Sequence, residues 1–302
     1  MEELKKSSIF ETNILYLLIG IALFVLGSLV QSREIYSGLL ITEYIIILLP
    51  NLIYLKLRGL SIKNILRLNK ISFKQVWYII LITIFSYPIA IFLNTLMLTI
   101  LSFFGETVPS AVPIPDNPAM YFFALFVIAL APGICEEVMF RGTIMHAYGS
   151  VGKKKAIIYS AVLFGLFHLN LQNFIGPTFL GIIFGITVYK TNSIFASMIG
   201  HVLNNGIAMT IGYFALNAQN AMDEVPAYEI SYQLQLLIAL AGFSVLALLS
   251  LAILVRLIKR LPKGNEVVEQ EIIEEDVKLT HYIPLIGIVI LFVVINTKYL
   301  FI

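Results

Sequence analysis

The residues able to do chemistry fall in three short stretches. In the first, Glu136-Glu137-Val138-Met139-Phe140-Arg141, Glu137 and Arg141 are four residues apart. On a helix they share a face and can pair as ions, while Glu136 projects roughly 100° away. The two carboxyl groups therefore have separate surroundings: Glu137 is held ionised against Arg141, and the less compensated Glu136 is suited to take and return protons. The second and third stretches are Phe164-Gly165-Leu166-Phe167-His168 and His201-Val202-Leu203-Asn204-Asn205. Their i, i+4 spacing sets Phe164 beside His168 and His201 beside Asn205. Hydrolysis of an acyl bond needs a base for water, an acid for the leaving group and donors for developing negative charge, and these side chains can supply all three. Each stretch alone has a plainer reading, the glutamates as packing charges and either histidine as an interhelical hydrogen-bonding group. Three of them within one short region are harder to dismiss.

The elements that must position them are membrane helices. Of 302 residues, 59% are hydrophobic and 13% charged, about half the charged share of an ordinary soluble domain. Ionisable groups within apolar spans are costly and therefore mark functional sites by default. Taking about 20 mostly apolar residues as a span, the fold class is all-α, a polytopic transmembrane helix bundle of eight to nine spans. Nine segments qualify approximately, near 13–31, 36–55, 76–104, 118–148, 155–170, 174–190, 193–216, 232–258 and 282–301. The first is a retained helix rather than a cleaved signal. The third and fourth are long enough to need tilt or kinks, for which Pro88 and Pro132-Gly133 are natural points. Asn117-Pro118 reads as an N-cap with proline at the first helical position. Gly165, Gly181, Gly185, Gly200 and Gly206 would let helices approach closely. The chain divides into N-terminal helices (1–117), a core carrying the three stretches (118–216) and C-terminal helices (217–302). Counting about 1.5 Å per residue from the span ends puts His168 deeper than Glu136; a kink near Pro132-Gly133 or a tilted fifth span must close that gap.

Loop charges set an orientation. Lys5 and Lys6, then Lys56, Arg58, Lys63, Arg67, Lys70 and Lys74, then Lys153 to Lys155, then Arg256, Lys259, Arg260 and Lys263 fall on one side of a nine-span count. Glu106 and Asp116, and Asp223, Glu224 and Glu229, fall on the other. The positive-inside rule then gives a cytoplasmic amino terminus in a multi-pass protein of the plasma membrane. The basic second loop reads either as solvated or as an interfacial helix on anionic lipid. Pro109, Pro113 and Pro115 stiffen residues 105–117, and the acids Glu266, Glu269, Glu271, Glu274, Glu275 and Asp276 mark a solvated segment. A net charge of +2 offers nothing to nucleic acid. The single Cys135 rules out an internal disulfide and reads as a packing residue. His146 and His281 lie near span boundaries. Glu43 sits within the second span, where a supporting or helix-pairing role is favoured, but the sequence names no partner for it.

The ordered set E-E-x-x-x-R, F-x-x-x-H and H-x-x-x-N, on consecutive hydrophobic segments across roughly residues 118 to 215, resembles the CAAX protease and bacteriocin-processing (CPBP, or Abi) family of intramembrane proteases, related to type II CAAX prenyl endopeptidases. The resemblance implies an endopeptidase that cleaves a membrane-associated protein or peptide within the lipid bilayer. It implies that Glu136 and His168 activate water, that His201 and Asn205 stabilise the oxyanion, and that Glu137, with Arg141 and Phe164, completes the motifs. The family is often described as metalloprotease-like, and zinc would take Glu136, His168 and His201 as ligands with water as the fourth. A glutamate–histidine pair needs no metal, and no H-E-x-x-H motif is present. No other cofactor is implied. The competing reading is a non-catalytic transporter or bacteriocin-immunity protein that uses the same polar cluster for binding.

Overall fold

The computed structural model describes residues 7–105, 107, 113–221, 230–264 and 277–297. Lys5, Lys6, Glu106, Pro109, Asp223, Glu224, Glu229 and the acids between 266 and 276 lie outside them. The described residues form helices and contain no strand. In chain order they are α1 (Ile9–Gln31), α2 (Ile35–Leu57), α3 (Phe73–Leu101), α4 (Pro118–Val151), α5 (Lys153–Phe167), α6 (Leu171–Thr191), α7 (Phe195–Ala221), α8 (Tyr232–Arg260) and α9 (Leu279–Thr297).

Seven of these are long and apolar enough to cross a membrane. The two outside that set, α5 and α7, differ from the expected nine for separate reasons. Helix α5 has 15 residues, about 22 Å at 1.5 Å per residue against a hydrocarbon core of about 30 Å. Helix α7 has 27 residues but is diluted by His201, Asn204 and Asn205, the residues that draw attention to it.

Local sequence sets the helix starts. Asn117 accepts a hydrogen bond from the Met120 amide at 3.0 Å, with Pro118 in the first turn of α4. Ser72 and Gln75 form a reciprocal capping box at the start of α3, which then runs through Pro88. Exposed Glu34 caps α2 by accepting from the amides of Tyr36 and Ser37. The hydrogen bonds from Ser37 hold its carboxyl below the usual glutamate value.

The long helices are not uniform. Residues Leu23–Gly27 of α1, Thr42–Leu48 of α2, and Leu125–Leu130 and Val138–Ile144 of α4 are wound as wider π turns. Switching from i+4 to i+5 bonding disturbs the carbonyl pairing, and an unsatisfied carbonyl in hydrocarbon costs several kcal/mol. Side chains supply donors there. Asn51 donates to the Ile47 carbonyl at 2.8 Å, Asn205 to Ile128 at 3.0 Å, Thr143 to Val138 at 3.3 Å and Ser160 to Phe140 at 2.8 Å.

Helix α3 packs against α6, α7 and α8; α4 packs against α7 and, through the π turn of α2, against α2; α5 lies on α6, and α1 on α9. Close approach falls at several glycines: a side chain at Gly165 would meet the Phe174 carbonyl oxygen at 2.7 Å, and one at Gly200 the Phe184 ring at 2.9 Å. A side chain at Gly133 would meet the backbone of Val202 at 3.1 Å, and one at Gly181 would meet the Ala161 backbone at 2.9 Å. Gly206, by contrast, faces only Leu125 at 4.0 Å and is not a point of close approach.

The basic loops gather at one end of the bundle. Arg58 pairs with Glu11 at 2.6 Å, Asn69 donates to the Asn192 carbonyl at 2.7 Å, and Gln75 donates to Pro262 at 3.2 Å. Lys190 donates to the carbonyl of Ile258 while its own carbonyl accepts from the Gly264 amide. The second loop holds one short helix, Ile62–Ile65, and Arg67 lies 4.3 Å over the Tyr189 ring. His281 joins this end through Asn13, which donates to its carbonyl at 2.9 Å.

Candidate active site

The segment Ala131–Glu137 is a short α-helical stretch held between the two π turns of α4. Gly133 brings it against α7 at Val202, next to His201. The expected Glu137–Arg141 ion pair forms at 2.9 Å with both side chains fully buried. The same Glu137 oxygen, Oε1, also lies 2.9 Å from His201 Nδ1, a link between α4 and α7 that the separate motifs do not announce. Because a carboxylate accepts, Nδ1 carries the proton, and Nε2 is the ring atom turned toward Glu136. Its distance to Glu136 Oε2 is 3.7 Å, longer than a hydrogen bond. Glu136 is half-buried and His201 is buried.

His168 caps the C-terminus of α5 and is exposed. The shortness of α5 means that its last residue stops within the depth of the bilayer if its first turn starts at the basic end. His168 Nδ1 lies 3.0 Å from the Phe164 carbonyl. A carbonyl oxygen only accepts, so Nδ1 bears a hydrogen, and in the neutral ring Nε2 then carries the lone pair. Glu136, His201 and Arg141 are all electrostatic neighbours of His168. Glu136 and His168 therefore lie within electrostatic reach of one another despite the depth difference expected from residue counting.

Phe164 is the hinge of the cluster. Its ring meets His168 edge-on at 5.1 Å and His201 edge-on at 5.6 Å, and the Arg141 guanidinium lies 4.4 Å over it. Phe184 stacks on His201 at 5.7 Å. The arginine is therefore neutralised by Glu137 and faced by aromatic rings, which suits a fully desolvated guanidinium.

Asn205 is turned toward α4. One amide hydrogen goes to the Ile128 carbonyl, and its Oδ1 accepts from Asn204 at 3.1 Å. A second amide hydrogen remains available for other work. Among the described residues, no three His, Cys, Asp or Glu side chains are arranged to hold a metal ion. The conditional zinc set Glu136, His168 and His201 is not such a group, and no step is routed through a metal.

Two supporting residues lay outside the three motifs. Asn296 of α9 donates to the Leu169 carbonyl at 3.3 Å and accepts from the Leu171 amide at 2.7 Å, clamping the turn that follows His168. The other is Glu43, buried in α2 with Glu136 as its electrostatic neighbour. Its isolation in an apolar span is a sequence signal; Asn296, one polar residue near the end of an apolar helix, gives almost none. His146 and Cys135 are placed as expected, near the end of α4 and fully buried, respectively.

Residues 118–207 match the family model described as Rce1-like, type II CAAX prenyl endopeptidase. The match spans Glu136, Glu137, Arg141, Phe164, His168, His201 and Asn205. No curated protein and no solved structure matches the chain.

Proposed function

From the match of residues 118–207 to the Rce1-like, type II CAAX prenyl endopeptidase family model, we propose that this integral membrane protein hydrolyses a peptide bond of a membrane-associated protein or peptide with water activated by Glu136 and His168. The observation that carries the reading is the convergence of Glu136, His168 and His201 from α4, α5 and α7, with each imidazole held by its Nδ1. Orientation of both rings by fixed acceptors is what general acid–base chemistry needs.

In this reading Glu136 and the Nε2 lone pair of His168 take a proton from water as its oxygen attacks the scissile carbonyl. The carbonyl oxygen becomes the oxyanion, faced by the second amide hydrogen of Asn205 and, when the ring is charged, by His201 Nε2–H. The proton then passes to the leaving nitrogen as the carbon–nitrogen bond breaks. Glu137 keeps the His201 ring in place and balances Arg141. The basic end of the bundle faces the cytoplasm of a plasma-membrane protein.

The test is cleavage by the purified protein in liposomes, offered a farnesylated CAAX peptide and a non-prenylated membrane-anchored peptide. The wild type should release product from at least one. Glu136→Gln and His168→Ala should each lower kcat by about 10²–10⁴ while remaining folded. Full cleavage by both variants would remove the proposed chemistry. No cleavage of either peptide by wild type would favour a non-catalytic membrane role.

A further inference from the structure

Glu43 stands in the π turn Thr42–Leu48 of α2, and that turn packs on Ala131–Glu137 of α4. Its side chain is 6% exposed, and its Oε2 is buried without a hydrogen-bond partner. Among the described residues it makes no ion pair. Across the helix contact its electrostatic neighbours are Glu136 and fully buried Cys135; on its own helix, Tyr44. No cation is therefore in place to neutralise it, unlike Glu137, which has Arg141 and His201.

A lone carboxylate buried in an apolar span costs several kcal/mol, and a second negative charge beside it costs more. The economical arrangement is one proton held by two carboxyl groups. From the buried, unpartnered Glu43 carboxyl facing the Glu136 segment, we infer that Glu43 is a positioning residue whose protonated carboxyl donates a hydrogen bond to Glu136. This rests on Glu136 being the water-activating base. The bond would hold the Glu136 carboxylate in one rotamer, with its other oxygen directed to the His201–His168 side, so that Glu136 need not reorient to take a proton. The π turn matters because the inserted residue re-aims the side chains of the turn relative to a regular helix.

A donor role separates the two obvious substitutions. Glu43→Gln keeps a hydrogen-bond donor of the same reach, whereas Glu43→Leu keeps the volume and removes the donor. With wild type cleaving, Glu43→Leu should lower kcat by about 10-fold or more, the worth of one charge-assisted hydrogen bond, with KM changed less than about twofold. Glu43→Gln should stay within about threefold of wild type. Infrared spectra of the same liposomes should show a protonated-carboxyl band in wild type that is lost in Glu43→Gln and retained in Glu136→Gln. An unchanged kcat in Glu43→Leu, or a Glu43→Gln as slow as Glu43→Leu, overturns the donor role. So does a wild type lacking the band or a Glu43→Gln that keeps it. The infrared result does not need turnover: if wild type cleaves nothing, the protease reading fails, while the band still decides whether Glu43 holds the proton. If Glu43→Leu does not insert, the Glu43→Gln rate and the spectra still decide.

Discussion

Glu137 does two jobs at one oxygen, and that makes its substitution informative. Removing one partner of a buried ion pair leaves the other charge stranded and typically costs about 3–5 kcal/mol. Glu137→Leu should therefore lower the unfolding temperature of the detergent-solubilised protein sharply. The double variant Glu137→Leu/Arg141→Met should recover much of that loss, because two apolar side chains replace the pair. Cleavage should not recover, since His201 Nδ1 still lacks the acceptor that fixes its ring. A double variant with wild-type kcat would show that Glu137 serves Arg141 alone. Asn205 carries a similar double load, tying α7 to the Ile128 carbonyl of α4 while offering one further donor, so rate and stability must be measured together there.

At the scale of elements, His168 is positioned by the end of a helix and by the turn that follows. Leu169 adopts a left-handed backbone with φ 51°, an uncommon conformation for a non-glycine residue. Asn296 of α9 holds that turn on both sides, at the Leu169 carbonyl and the Leu171 amide. Its two contacts are each worth about 1 kcal/mol. Asn296→Ala should therefore speed hydrogen exchange in residues 168–173 and lower kcat several-fold, leaving exchange in α3 and α8 unchanged. Unaltered exchange in 168–173 would mean that the turn holds itself. The same logic explains the π turns of α4: they shift Ala131–Glu137 out of the register of a regular helix, and the side-chain donors of Asn205, Thr143 and Ser160 satisfy carbonyls there.

For the whole molecule, the clustering of basic loops at one end makes an orientation testable. In a Cys135→Ala background, Lys63→Cys and Lys154→Cys should react with a membrane-impermeant thiol reagent only after cells are opened, whereas Ser32→Cys should react in intact cells. The reverse pattern would invert the proposed topology. Much of this architecture was legible in the sequence, because a continuous apolar run of about 20 residues can satisfy its own backbone in hydrocarbon as a helix, which turns such runs directly into spans. Spacing within a helix is equally direct, and it foretold the Glu137–Arg141 pair and the contact of Phe164 with His168. Contacts between helices follow no such local rule. That His201 docks on Glu137, that Asn205 answers a carbonyl of α4, that His168 comes within electrostatic reach of Glu136 and that Glu43 lies against the Glu136 segment all depend on how helices distant in sequence lean on one another. Those relations are set by the close helix approach that Gly133, Gly165 and Gly181 allow and by the π turns, and such packing exists only once the bundle is assembled.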